Sequence, residues 1–456
     1  MNRSFAVLSY TGHALIDVGL AALAAHNGKT DPADLTPDDL ENTGRYLAER
    51  YTVKSPLQGL VKGILVLNSK YDQRPELRDP YIQRVLFSWR PGTPTLPDTL
   101  CSFCGRPAAY RASREDVPLL NGRDVYNFGG RGQAGLPICG FCSLAMHMLP
   151  FGCLKISGRL LAIHSDDPAI TFDCAHEALD YMQNMLSLPS NTDEGGLPGL
   201  SYERTRFVEL VQRALRRSRR RGTAPSVTGY HFSNSGPDPD IRIFSLDSGV
   251  LDWLSEVEHH ADITLTEAWQ RVAASGWQDN PKAKKAQAAR TDTENRRNTV
   301  YEDLLKLPQM SREFFDRYLR HSGHFGLTAL FAERIMDMTP ERIALLRTLG
   351  ERFAEYAQRN RTFYFKFLRT DSYARWRRML LEAADDAMRS NAVLISFDEF
   401  VEAFTAPEGE YNDWRLARDL VALRMMELNP LNLSVDDQPV FTDADEAADA
   451  DETAQD

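Results

Sequence analysis

With 456 residues the chain is long enough for more than one core, since single domains usually run to about 100–200 residues. No run of about 18 apolar residues and no charged-then-apolar leader is present, which argues against a membrane span and against export and makes the cytoplasm the expected compartment. The formal net charge of −11 would count against a nucleic-acid partner if it were evenly spread, but nine acidic residues and no basic ones fall between Asp436 and Asp456, leaving −2 for the body.

In chain order, Ser4 to Tyr10 reads as a strand running into the turn Thr11-Gly12, with Thr11 as the cap of an apolar helix from Ala14 to His26. A second helix begins at the cap Thr36 with Pro37 in its first position and ends near Tyr51. The apolar stretch Leu57 to Leu67 meets the polar turn Asn68-Ser69-Lys70-Tyr71, and proline-rich sequence from Pro91 to Pro97 follows.

Two cysteine pairs come next, Cys101-Ser102-Phe103-Cys104 and Cys139-Gly140-Phe141-Cys142. Two C-x2-C knuckles can close one tetrahedral zinc site, and with all four thiolates engaged no position stays open for water or substrate. The expected zinc is therefore structural. Gly105 and Gly140 are read as residues that let the backbone turn and aim amides at the sulfurs. A disulfide framework is the alternative, disfavoured by a reducing compartment. Cys153 and Cys174 read as buried thiols.

The glycine-rich stretch Asn127 to Gly135 fits neither a P-loop nor a dinucleotide fingerprint and reads as a mobile loop. Ser143 to Leu149 suggests a short helix, and Cys153 to His164 a hairpin turning at Ser157-Gly158. A linker covers Ser187 to Ser201. From Thr299 to Leu428 the pattern is helical, with starts at Thr339-Pro340, Asp371 and the capping box Ser396 to Glu399. Leu346, Leu349, Phe353, Tyr356, Phe363 and Phe367 recur at helical spacing and define one buried seam of an antiparallel bundle.

The expected fold class is α+β. A mixed N-terminal domain (1–95 and 151–290) carries a four-cysteine zinc-finger insertion (96–150), followed by a C-terminal α-helical bundle (291–432) and a disordered acidic tail (433–456).

Basic clusters are the next candidates for function. Arg213, Arg216, Arg217 and Arg220 crowd the end of a helix that starts near Tyr202, and Lys284 and Lys285 follow Pro281. Guanidinium forks match phosphate geometry and raise affinity without reading sequence, although a solvated helix face would look the same. Arg352, Arg359 and Lys366 recur every seven residues and line up on one side of a long helix. Arg377, beside Trp376, offers cation and aromatic stacking surface suited to single-stranded nucleic acid, unless Trp376 belongs to the core. No metalloprotease helix, nucleophile elbow, Walker sequence or nuclease arrangement is visible, so no catalytic residue is assigned.

Together, several of these pieces resemble the large subunit of type I CRISPR interference (Cascade) complexes, most similar to the type I-B group. The carrying residues are Thr11-Gly12-His13-Ala14-Leu15-Ile16-Asp17-Val18-Gly19, the turn at Asn68, the two knuckles with the second set in Leu136-Pro137-Ile138, and the helical C-terminus. The resemblance implies a non-catalytic subunit that reads a protospacer-adjacent motif in double-stranded target DNA, anchors one end of the guide RNA filament and stabilises the R-loop. Implied partners are guide RNA, target DNA, the backbone, handle-binding and small subunits, and a recruited helicase-nuclease or transposition apparatus. Asn68, Lys70, Arg131 and Gln133 are the expected contacts in the recognition region. The bundle resembles the small subunit of such complexes, which in that group can arise from an internal start; Met310, Met336 and Met338 are the candidates. Rival readings are a zinc-containing nucleic-acid-processing enzyme and a protein-binding scaffold.

Overall fold

The computed structural model describes residues 7–51, 74–120, 134–187, 200–217, 225–234, 240–278, 296–370, 372–405 and 413–429. Among these the chain is α+β and divides into two compact units, Met1–His259 with Ala273–Gln309, and His260–Val272 with Met310–Asp456. The bundle thus begins at Met310 rather than at 291, and a segment from the middle of the chain joins it. None of the described helices is long and apolar enough to cross a membrane.

In the first unit the central element is the helix Ala14–His26, in which ten consecutive residues from Leu15 to Ala24 are buried. A helix that is apolar all round has to be covered all round. It is enclosed by the helices Gly140–Met148 and Pro168–Ser187, the turn Leu149–Gly152 and the strand Arg159–Ser165. A Cβ on Gly19 would lie 2.1 Å from the Ala145 carbonyl oxygen, so glycine is what lets the first helix and Gly140–Met148 cross in contact. Gly19→Ala is expected to destabilise this unit by about 3 kcal/mol through overpacking, seen as a lower denaturant midpoint at unchanged m.

Of the strand expected from Ser4 to Tyr10, Ser4 to Ala6 lie outside the described residues, and the described residues from Val7 to His13 are irregular. Thr11 does not cap the helix Ala14–His26. The N-cap is His13, which makes no side-chain capping bond, because Asp17 in the first turn takes the loop amides instead. The helix Pro37–Arg50 does start at a capping box, Thr36 and Asp39 each accepting the other's amide. A helix at Pro75–Phe87, not anticipated from sequence, follows. Leu57 to Leu67, most of the linker from Ser187, and the acidic tail lie outside the described residues.

A four-stranded antiparallel meander, Leu154–Ile156, Arg159–Ser165, Val227–Ser233 and Asp240–Leu246, completes the unit. Its first hairpin turns at Ser157 and Gly158, with φ of 49° and 80°, the doubly left-handed pair that matches strand twist. The knuckle region is no appendage. Cys101, Cys139 and Cys142 belong to the same buried cluster as Leu15, Leu23 and Phe151.

In the second unit, helices Phe325–Ile335, Pro340–Arg359, Arg361–Arg369, Tyr373–Arg389, Phe397–Phe404 and Asp413–Leu428 form the bundle. Thr339 and Ser396 cap two of them as the sequence implies, while the Tyr373–Arg389 helix starts after Ser372 without a side-chain cap, and Asp371 lies outside the described residues. Leu346, Leu349, Phe353, Phe363 and Phe367 are buried and Tyr356 is half-buried. The long helix is interrupted at Asn360, whose side chain accepts the Phe363 amide and starts a new helix. Trp376 is a core residue, 0 % exposed, with Phe404 at 4.7 Å and Trp414 at 5.2 Å between ring centroids.

Candidate metal centre and its surroundings

Each knuckle owes its shape to a different local device. In the first, Gly105 takes φ of +72° and donates its amide to the Cys101 carbonyl, while the amides of Phe103 and Arg106 turn to the sulfurs of Cys101 and Cys104. In the second, Cys139 is the N-cap of Gly140–Met148 and its sulfur accepts the Cys142 amide at 3.4 Å. Gly140 serves close packing rather than a turn: a Cβ there would sit 2.1 Å from the Trp89 nitrogen.

These devices bring four sulfurs within 4.8 Å of one another. Cys104 Sγ and Cys139 Sγ are 3.5 Å apart, near the roughly 3.8 Å separation of ligands around a tetrahedral centre with metal–sulfur bonds of about 2.3 Å. Hydrogen bonding to the Cys101 sulfur from Cys104, Cys139 and Cys142 pulls its pKa down, and the same contact with Cys101 pushes the Cys142 thiol up. Four thiols so crowded cannot all ionise without a cation among them. The donor set could hold one metal ion, and it leaves no protein-free position.

The first knuckle meets the amino-terminal loop. The Phe103 ring stands edge-on to His13 at 4.7 Å, and the Arg106 guanidinium donates to the Val7 carbonyl at 2.6 Å. That loop is held from below by Asp17, 2 % exposed, which accepts from the Thr11 amide (2.7 Å), the Thr11 hydroxyl (2.9 Å), the Gly12 amide (2.9 Å) and His164 Nε2 (3.2 Å). A lone carboxylate inside an otherwise apolar helix was the available sequence signal for this staple; His164 carried none.

Beside the second knuckle a cavity of about 490 Å³ is lined by Gln83, Arg84, Ser88, Arg90, Thr93 and Tyr110, among others. Arg90 forks onto Glu41 at 2.7 to 2.9 Å with its guanidinium 4.0 Å over Phe87, and Arg84 pairs with Asp116 at 3.1 Å while lying 4.9 Å over Tyr110. Asp116 is 2 % exposed. The Ser88 hydroxyl has no hydrogen-bond partner among the described residues. Two guanidiniums, each neutralised by a carboxylate, give a wall rich in donors with little net charge. Sequence reasoning missed these residues, because their role depends on contacts across tens of positions.

The expected nucleic-acid residues fare differently. Asn68, Lys70, Arg131, Gln133, Arg220, Lys284 and Lys285 lie outside the described residues. Arg213 and Arg217 both pair with Glu177, Arg213 also with Glu209, and Arg216 makes a fork to Glu258 at 2.8 and 2.9 Å. These three guanidiniums are compensated within the unit instead of forming an open cationic patch. Arg352 pairs with Glu399 at 2.8 Å, and Arg359 is exposed near Glu355. Lys366 is exposed but belongs to the helix beyond Asn360, so the expected single strip is broken. Arg377 is exposed and makes no ion pair among the described residues, while the neighbouring Trp376 is unavailable for stacking. Comparison of the chain with protein-family models, with curated proteins and with solved structures finds no match in any of the three.

Proposed function

We propose that the chain is a non-catalytic, zinc-stapled subunit of a CRISPR RNA-guided surveillance complex, in which the knuckle region presents a surface that reads duplex DNA beside the guide-paired target. The observation that carries the reading is the meeting of two motifs far apart in sequence, the Thr11-Gly12-His13 loop and the first knuckle, at the His13–Phe103 contact. Both belong to the set on which the resemblance rests. Zinc is the metal assigned, because a closed set of four thiolates suits a tetrahedral ion that stabilises a fold without redox chemistry.

The cavity beside the second knuckle supports recognition by hydrogen bonding rather than by charge. Gln83 and Thr93 supply polar groups, and the neutralised Arg84 and Arg90 supply oriented donors over aromatic rings. Base edges are read by such groups, whereas phosphate contacts add affinity without sequence information.

The test is to recover the tagged full chain from its host under mild salt and sequence the RNA that accompanies it. Short RNAs sharing one repeat-derived end and differing elsewhere are the expected result. In the same complex, Gln83→Ala with Thr93→Ala is expected to relax the preferred duplex motif in a randomised library by about tenfold. Metal-dependent cleavage of DNA or RNA by the purified chain, or assembly with proteins alone and no nucleic acid, overturns the proposal.

A further inference from the structure

The outer face of the bundle carries large apolar side chains in water. On the helix Tyr373–Arg389, Leu381 is 61 % and Met388 69 % exposed, although Trp376, Met379, Leu380, Ala383 and Ala387 bury the opposite face. Seven residues apart, Leu381 and Met388 share one side of that helix. At the turn that follows, Val393 is 68 % and Phe397 79 % exposed. The Trp376–Phe404 contact at 4.7 Å joins the start of one helix to the end of the next, so the two run antiparallel and Phe397 falls at the Met388 end. Scattered apolar residues are ordinary on a surface, but two on one side of a helix, with two more at the turn that follows, mark an interaction site.

Charge along the same helix identifies what covers it. Arg377 and Arg378, both exposed and without an ion pair among the described residues, sit in its first half. Glu382 and Asp385 sit in the second, with Asp385 engaged only by the exposed Arg389 at 2.6 Å. Arg378, Leu381, Asp385 and Met388 are three, four and three residues apart and form a single line, positive at one end and negative towards the other. A parallel neighbour would set like against like. An antiparallel copy related by a two-fold axis near Leu381 sets each Arg378 against the other's Asp385 and brings the two leucines together, the self-complementary arrangement that an isologous interface requires.

We infer that this face is the contact between two copies of this chain, packed antiparallel through the Tyr373–Arg389 helices. The inference does not depend on the nucleic-acid reading. It is tested on the nuclease-treated full chain by sedimentation velocity across a concentration series at low salt. The expected result is a reversible dimer that Leu381→Glu weakens at least about tenfold, as removal of a central apolar anchor does. Because Leu381 is exposed in the single copy, the circular dichroism of that variant stays unchanged. Arg378→Glu alone and Asp385→Arg alone are each expected to weaken the dimer, and the two reversals combined to restore it. A chain that is monomeric at every concentration, or a double reversal that fails to restore what the single ones lose, overturns the inference.

Discussion

Cys139→Ser is expected to strip the chain of its metal and to unfold the knuckle region, since serine at this position removes one of four donors and the sulfur that accepts the Cys142 amide. Structural zinc contributes on the order of 10 kcal/mol to folding in small zinc domains. Here the neighbouring core supplies part of the stability, because Cys101, Cys139 and Cys142 lie in one buried cluster with the first helix. The expected outcome is therefore loss of about one metal equivalent by elemental analysis, together with rapid proteolysis between Pro91 and Met148, while the helical bundle keeps its circular dichroism. Chelation of the wild-type chain should reproduce the same cleavage pattern. Metal retained at full stoichiometry in the variant would show that the four thiols are not the site.

Asp17→Ala is expected to cost about 4 kcal/mol, since it leaves two backbone amides and a threonine hydroxyl without the charged acceptor they share, and each such bond is worth about 1.5–3 kcal/mol. The loop that touches Phe103 then loses its anchor, so hydrogen exchange at Thr11 to His13 should rise. A pH dependence accompanies this. Burial pushes the Asp17 carboxyl up, but the bonds from His164 and Thr11 outweigh it and hold it below the ordinary value. With a folded pKa below the unfolded one, its contribution is complete above about pH 4 and disappears as pH falls through the folded value. Burial pushes His147 down to about 4. The unfolded chain therefore takes up that proton first, and stability already declines between about pH 6.5 and 4. Acid unfolding should proceed in two stages, and Asp17→Asn should diminish the second, which Glu41 and Glu399 share, without altering the first.

The parts of this architecture legible in the sequence are those whose physics is local. Thr36-Pro37, Thr339-Pro340 and the Ser396 box place helix starts correctly because each capping side chain and the amide that donates to it lie within one turn. The knuckles were legible for the same reason. The helix Pro75–Phe87 was not, with Pro80 in its interior. Nor was the irregular course of Val7 to His13, where Asp17 takes the amides of Thr11 and Gly12. The arginine cluster shows what a local reading leaves out. A run of guanidiniums reads as an open patch only while Glu177 and Glu258 remain forty or so residues away on paper, and folding sets them in contact. Asn360 shows the converse, one residue whose side-chain bond turns a continuous heptad into two helices.

The four-cysteine cluster and the short ladder Tyr110 to Ala112 with Leu136 to Ile138 together clamp both ends of a segment whose flanking cysteines, Cys104 and Cys139, are 35 positions apart. Once the ends of a loop are fixed, lengthening it is thermodynamically cheap: doubling its length costs only about 0.6 kcal/mol in closure entropy. The closure cost therefore depends little on how many residues the segment holds, whereas Ala112, Asp116 and Val117 within it are buried and belong to what the clamp secures.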